Sequence, residues 1–403
     1  SRGTSVHKIN KRITYSPSDL MAFMNSPFSS WVARLSLDYP QRLEGIEKDH
    51  DEIMGLLANK GNEHELLFLD QMKQQYGADN VAIINVDQAT AEKATKEAME
   101  KGYQVIFQAY LKRDDFAGFA DFLVRREGDS DLGHYYYEAW DTKLSKTTKP
   151  YFVMQLCCYS WMLEKVQGKL PEEAVIVLGD EKQNRLRLPA YLSYFNNLKA
   201  KFLVTQNNFN GEQSSMPDPS LESDHGAWGS YAKALMEEAD SLALVAGIRK
   251  IQLKRLHEEG IETLTMLAQT DVLSIKGISP ETFEKIKAQA DIQLRSKGHD
   301  KPLFNVITQD NGKGLSALPP ASAKDAFFDI EGHPLVDGGL EYLWGASYHD
   351  TRAVQGKDYA FKDWWGNNQE QEKRAFEDFI DWTYRRWQQD PEMHVYHYAS
   401  YEI

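Results

Sequence analysis

The stretch 137-YEAWDTKLSK-146 decides how the first half of the chain is read. Residues 134-HYYYEAWDTKL-144 are rich in aromatics and read as a β-strand. On a strand, residues two apart share a face, so Asp141 and Lys143 project together while Thr142 and Glu138 project the other way. Working outward, 103-YQVIFQAYL-111 and 116-FAGFADFLVRR-126 read as two preceding strands, and EGDSDLG as the turn before the third. A short connection pairs neighbouring strands antiparallel, which brings Asp121 next to the Asp141 strand. Downstream, Pro150 opens a helix, YFVMQLCCYSWMLEKVQ, at the position where its missing N–H costs nothing, and Gly168 closes it. A further strand (AVIVLGD), the segment RLRLPAY and another helix follow.

Two carboxylates from adjacent strands repel unless a cation lies between them, and oxygen donors suit Mg²⁺ or Mn²⁺. A lysine beside such a pair can orient a metal-bound water and offset charge on a phosphate. Taken alone, Asp-x-Lys is a common tripeptide and reads as a surface ion pair of small energetic weight. Three neighbours shift that balance. Gln155 and Tyr159 are four apart and share a helix face with Phe152. The run 61-GNEHE-65 sets His64 and an acid into an otherwise apolar helix, where a lone histidine is most often structural. Lys146 and Lys149 continue from Lys143 at spacing three, a strip suited to a phosphate backbone.

The chain has 403 residues, more than one typical domain, with 42% hydrophobic and 12% aromatic content, enough for packed cores. It contains neither an apolar run of membrane-spanning length nor a recognisable signal peptide. Its two cysteines, Cys157 and Cys158, are adjacent, which rules out a disulfide framework and a four-cysteine cluster. A cytoplasmic location is the expectation. The net charge of −14 speaks against a general DNA-coating protein but not against a nuclease, whose acids hold metal ions. The chain opens without methionine and ends inside the strand-like HYASYEI, so we expect it to be part of something longer.

The fold class expected is α/β (α+β), in three parts: 14–215, a helical region over 216–310, and 323–403. Polar, proline-containing breaks at QSSMPDPSLESDHG and DNGKGLSALPPASAK separate them. In the middle part, IKGIS reads as a turn between two short helices that can offer backbone N–H groups to a phosphate. Arg249, Lys250, Lys254 and Arg255 form a basic stretch there, otherwise a solvated helix face. In the last part FFDIEGH, EYLWGASYH, AVQGKDYAF and VYHYAS read as strands, with a helix through EQEKRAFEDFIDWTYRRW. Asp329 and Glu331 share a face of the first of these. Two such acids suit a two-metal site, or else a solvated edge strand.

The succession GFADFL, YYYEAWDTK, QLCCY resembles the RecB-like branch of the PD-(D/E)XK nuclease superfamily over residues 14–210. The resemblance implies a restriction-endonuclease-like core in which His64, Asp121 and Asp141, with the Thr142 carbonyl, hold Mg²⁺ or Mn²⁺. Lys143 becomes the catalytic lysine, and Gln155 and Tyr159 hold the phosphate or the lysine. Lys146 and Lys149 are the expected nucleic-acid contacts. Many relatives carry cysteines for an iron–sulfur cluster in the segments that read FMNSPFSSW and SLESDHGAWGSY here. Neither contains cysteine, so no cluster is expected and ordinary packing must brace that region.

The middle part is similar to the linker of two-nuclease proteins, with a degenerate helix–hairpin–helix. The last part resembles a ribonuclease H-like domain of the DEDD exonuclease group and its YprB-type relatives. Asp329 and Glu331 open its site, and HYASYE supplies Tyr401 and Glu402, where the family usually has Asp. Its final acidic motif is expected beyond residue 403, which leaves this domain C-terminally incomplete. The implied activity is metal-dependent hydrolysis of phosphodiesters in DNA, with RNA as the second candidate. A helicase domain is an implied neighbour further along the protein. The rival reading is a non-catalytic module that binds nucleic acid or protein and keeps a nuclease fold.

Overall fold

The computed structural model describes residues 7–9, 12–50, 52–336, 338–350 and 358–401. They form a mixed α/β protein with mixed sheets, divided into two units, 1–304 and 305–403. The sequence suggested a separate helical part from residue 216. In the structure residues 216–304 of that region fall within the first unit and 305–310 within the second.

The first unit begins with β1 (His7–Ile9), β2 (Arg12–Thr14), α1 (Pro17–Asn25), α2 (Pro27–Asp38), α3 (Glu52–Tyr76), β3 (Val81–Ile83) and α4 (Gln88–Glu100). It continues through β4 (Val105–Arg113), β5 (Phe116–Ser130), β6 (Gly133–Thr142), α5 (Pro150–Gln167), β7 (Glu173–Val177), β8 (Gln183–Arg187) and α6 (Leu192–Asn207). Four helices end it: α7 (Gly229–Glu238), α8 (Lys250–Glu258), α9 (Leu264–Gln269) and α10 (Pro280–Ser296). Strands β3 to β8 line up in sequence order as one six-stranded sheet. The β3/β4 and β6/β7 pairs are parallel, and α4 and α5 make their crossovers; the other pairs are antiparallel.

Alternation along the strands gives the sheet two apolar faces. Phe68, Leu69 and Met72 of α3 pack on Phe107, Phe122, Trp140 and Val175. On the other side α1, α5 and α6 meet Ile106, Leu123, Tyr137 and Ala139 in the largest core. Helix α5 is buried along most of its length. Its C-cap, Gly168, has φ +67 and lies against the Asp131 carboxylate, so both backbone and space require glycine. Ser16 caps α1, accepting from Asp19 N–H while Asp19 accepts in return from Ser16 N–H.

Two local expectations change. The turn between β5 and β6 is only Asp131 and Leu132, because both strands run on through residues expected to be loop. The helix after IKGIS is long, 17 residues, and forms one core with α8 and α9 through Leu256, Leu267 and Phe283.

The second unit holds β9 (Ala326–Gly332), β10 (Glu341–His349), β11 (Tyr359–Trp365), α11 (Gln369–Gln389) and β12 (Val395–Tyr396). Its sheet has the order β11-β10-β9-β12, with β12 parallel to β9 and the rest antiparallel. Helix α11 covers one face through Phe379 and Trp382 against Phe328, Trp344 and Trp364. Residues 353–357 of the expected third strand lie outside the described residues. Among the described residues no helix is long and apolar enough to cross a membrane.

Candidate active site

Register builds the site. Phe122 pairs with Trp140, so the next residues along, Asp121 and Asp141, face each other where β5 and β6 meet. Both are buried, at 6% and 2% exposure. Asp121 Oδ2 accepts from Thr142 N–H at 3.2 Å, which ties it to β6. Burial, reinforced by the Asp141 carboxylate and then by Glu65, raises Asp121 well above the usual carboxylate range. Such a site disfavours two bare negative charges and gains from a cation.

Lys143 supplies one positive charge. Its Nζ lies 2.6 Å from Asp141 Oδ2, an ion pair by distance but not an aligned hydrogen bond. The hydrogen bond from Nζ goes instead to Gln155 Oε1 at 3.0 Å, and the ring of Phe152 lies 5.2 Å away. Burial alone lowers the pKa of Lys143. The carboxylates of Asp141 and Asp121 outweigh it and hold the ammonium above its ordinary value. The Tyr159 hydroxyl donates to Phe119 O at 2.8 Å, fixing α5 to the strand two residues before Asp121. Burial, with the two aspartates adding, raises the Tyr159 pKa, so it stays a neutral donor. Four predicted residues, Asp121, Asp141, Lys143 and Gln155, thus form one chain of contacts, and Tyr159 braces it.

His64 lies on α3 with Nε2 buried and without a hydrogen-bond partner among the described residues. The neighbouring acid matters more than the histidine reading implied. Glu65 is buried at 5% exposure, raises Asp121 and supports the Lys143 charge. Its carboxylate accepts from Gln108 Nε2. Gln108 sits in the middle of β4 with φ +56, between Phe107 and Ala109, which pair with Phe122 and Ala120 on either side of Asp121. A left-handed non-glycine inside a strand is costly and occurs mainly where a site needs a side chain redirected. The only sequence signal for Glu65 was an acid in an apolar helix. Nothing in the residue types announced the turn at Gln108.

The loop carrying Lys146 and Lys149 is anchored from behind. Gly179 N–H donates to Ser145 O at 3.1 Å, and a Cβ on Gly179 would collide with Leu144 O at 2.0 Å. Asn184 Nδ2 holds Thr148 Oγ1 at 2.7 Å. Both lysines are exposed, and Lys149 is the N-cap residue of α5.

The two segments associated with an iron–sulfur cluster by resemblance meet in the first unit. Ser26 Oγ lies 2.8 Å from His225 Nδ1 in a buried pair, and the Phe28 ring packs edge-on to His225 at 5.3 Å. Trp31, Leu35 and Trp228 complete an apolar core around them.

Asp329 and Glu331 of the second unit are exposed. Tyr401 reaches the same sheet, its hydroxyl donating to Glu341 Oε1 at 3.0 Å. Glu402 lies outside the described residues. Among the described residues, no three His, Cys, Asp or Glu side chains stand gathered at metal-binding distance. The donor set of Asp121, Asp141 and Glu65 nevertheless suits a divalent cation chemically. It is all oxygen and buried, with three carboxyl groups beside the single ammonium of Lys143. Scans of the sequence against models of protein families and against curated proteins returned no match.

Proposed function

We propose that the first unit is a metal-dependent nuclease with a RecB-like PD-(D/E)XK core that hydrolyses phosphodiester bonds of DNA in the cytoplasm. The observation that carries this reading is the buried pair Asp121/Asp141 linked through Lys143 to Gln155. A structural ion pair needs one acid per lysine, whereas here two facing acids are buried with Glu65 close enough to raise Asp121 further. Asp121 and Asp141, with Glu65 and His64, are the residues that would hold Mg²⁺ or Mn²⁺. Bound there, the metal supplies Lewis-acid polarisation of the phosphate and an activated water.

The chain's own groups do the rest. Gln155 keeps Lys143 Nζ directed toward Asp141, where the ammonium positions water and offsets charge developing on the phosphate. Tyr159 holds α5 against β5, so that Gln155 and Asp121 keep their spacing. Lys146 and Lys149, exposed on the adjoining loop, receive the flanking phosphates. The second unit is a ribonuclease H-like domain in this reading, with Asp329 and Glu331 as its acids. RNA remains an alternative substrate, and a helicase a partner domain elsewhere in the protein.

The test is cleavage of linear and circular, single- and double-stranded DNA and of RNA in Mg²⁺, Mn²⁺ or EDTA. Cleavage that needs the metal and disappears in Asp141→Ala and Lys143→Ala is the expected result. Metal-dependent cleavage that persists in both variants removes this site from the reaction. Binding without cleavage by the wild type favours the non-catalytic module.

A further inference from the structure

A cleft of about 320 Å³ opens between α3 and the outer strands β3 and β4, and two of its walls, Glu65 and Gln108, belong to the candidate site. Leu66 and Ile83 form its sides and are 53% and 48% exposed, unusual for large aliphatics beside a buried acid cluster. Ile84 and Phe107 line it too and are buried. Its size lies at the small end of ligand pockets, which run from about 300 to 1,000 Å³. No lysine or arginine is among its described lining residues. A phosphate therefore has no cation to meet there, whereas a neutral, flat, partly apolar group meets aliphatic walls.

We propose that this cleft receives one unstacked base of a single-stranded nucleic acid whose adjoining phosphate lies at Asp121 and Asp141. The proposal rests on the nuclease reading and adds the form of the substrate. A base inside a duplex is stacked and paired on both sides and cannot enter, so single strands and frayed ends are preferred over intact duplex. Gln108 explains why the cleft and the acids adjoin. Its left-handed backbone turns the side chain onto Glu65, making one residue both a support of the acids and a wall of the cleft.

The experiment uses short single-stranded oligonucleotides carrying one abasic position, moved stepwise along the strand, on the wild type and on the Leu66→Ala/Ile83→Ala double variant. Both substitutions are at exposed positions and leave the core intact. One abasic position is expected to raise the wild-type KM about ten-fold, within the roughly 1–3 kcal/mol per base found for base contacts in single-strand binders. The double variant is expected to show that rise already with the complete oligonucleotide, and no further rise with the abasic one. If the abasic penalty is the same in both proteins, or absent from both while cleavage is intact, the cleft does not hold a base. A wild type that cleaves duplex DNA in metal but neither cleaves nor binds the single-stranded oligonucleotide overturns this proposal and leaves the nuclease reading standing, whereas one that cleaves no nucleic acid in metal overturns both.

Discussion

Two strand regions of this chain carry charged residues at i and i+2, Asp329 with Glu331 and Asp141 with Lys143, and they differ in surroundings. Asp329 and Glu331 sit at i and i+2 on β9, both exposed, and Asp329 accepts a hydrogen bond from the adjacent Ile330 N–H at 3.0 Å. Asp121 and Asp141 come from two strands that register sets opposite one another, and both are buried beneath α5. Solvated carboxylates interact weakly with each other. Burial and the facing Asp141 carboxylate raise the proton affinity of Asp121 and create a demand for positive charge, which Lys143 meets only in part. Spacing alone therefore does not distinguish the two sites; burial does.

The largest expected effect follows from Lys143. Lys143→Ala lowers metal-dependent cleavage by about 100- to 1,000-fold, the loss usual for one preorganised stabilising group. Single-turnover rates at saturating DNA measure it.

Glu138 tests the other face of the same strand. It is buried at 2% exposure and accepts from Arg126 Nε at 2.7 Å and Trp140 Nε1 at 2.8 Å. Glu138→Ala should cost about 2–3 kcal/mol of stability, below the figure for a fully buried pair because Arg126 reaches solvent. Denaturant unfolding reads this, and the cleavage rate of the folded fraction should not change.

Asp121→Asn separates function from stability. The amide keeps an oxygen for Thr142 N–H while removing one of two facing charges. Because the folded state raises the Asp121 pKa, this group favours folding most below the ordinary carboxylate value, and that contribution is lost as pH rises through the raised value. The variant should melt a few degrees higher than wild type at neutral pH without metal, and gain little from added Mn²⁺. Thermal melts with and without EDTA provide the comparison.

Gln108→Ala removes the support of Glu65. Metal affinity should weaken about ten-fold, as for other groups that orient a ligand without binding the metal. Asp329→Ala should be the quietest change, within about 0.5 kcal/mol of wild-type stability and with cleavage by the first unit unchanged.

The strands around the first site were legible because their aromatic and branched residues dictate burial on both faces of a sheet. The segments expected over 103–111, 116–126 and 134–144 correspond to β4, β5 and β6 with shifted ends. Pro150 and Gly168 marked α5 to within a residue. Strand β3 and helix α4 carried a weaker pattern. Val81–Ile83 is three residues long, and α4 is rich in alanine, lysine and glutamate, with only a narrow buried edge. Glu65 and Gln108 depended on tertiary placement. A left-handed glutamine in a strand runs against its residue preference, and only the packing of α3 over the sheet brings its amide to an acid 43 positions earlier. The reach of the second unit's sequence pattern is narrower. Asp329 and Glu331 were visible as a motif with a solvated edge strand as the other reading; both are exposed, but β9 lies inside its sheet, between β10 and β12.

The most direct test is a calorimetric titration with Mn²⁺ of the wild type, Asp141→Asn and Asp329→Asn. If the buried pair is the metal site of this chain, Asp141→Asn loses the binding isotherm and Asp329→Asn keeps the wild-type one. Loss of binding in Asp329→Asn, with wild-type affinity retained in Asp141→Asn, contradicts the account.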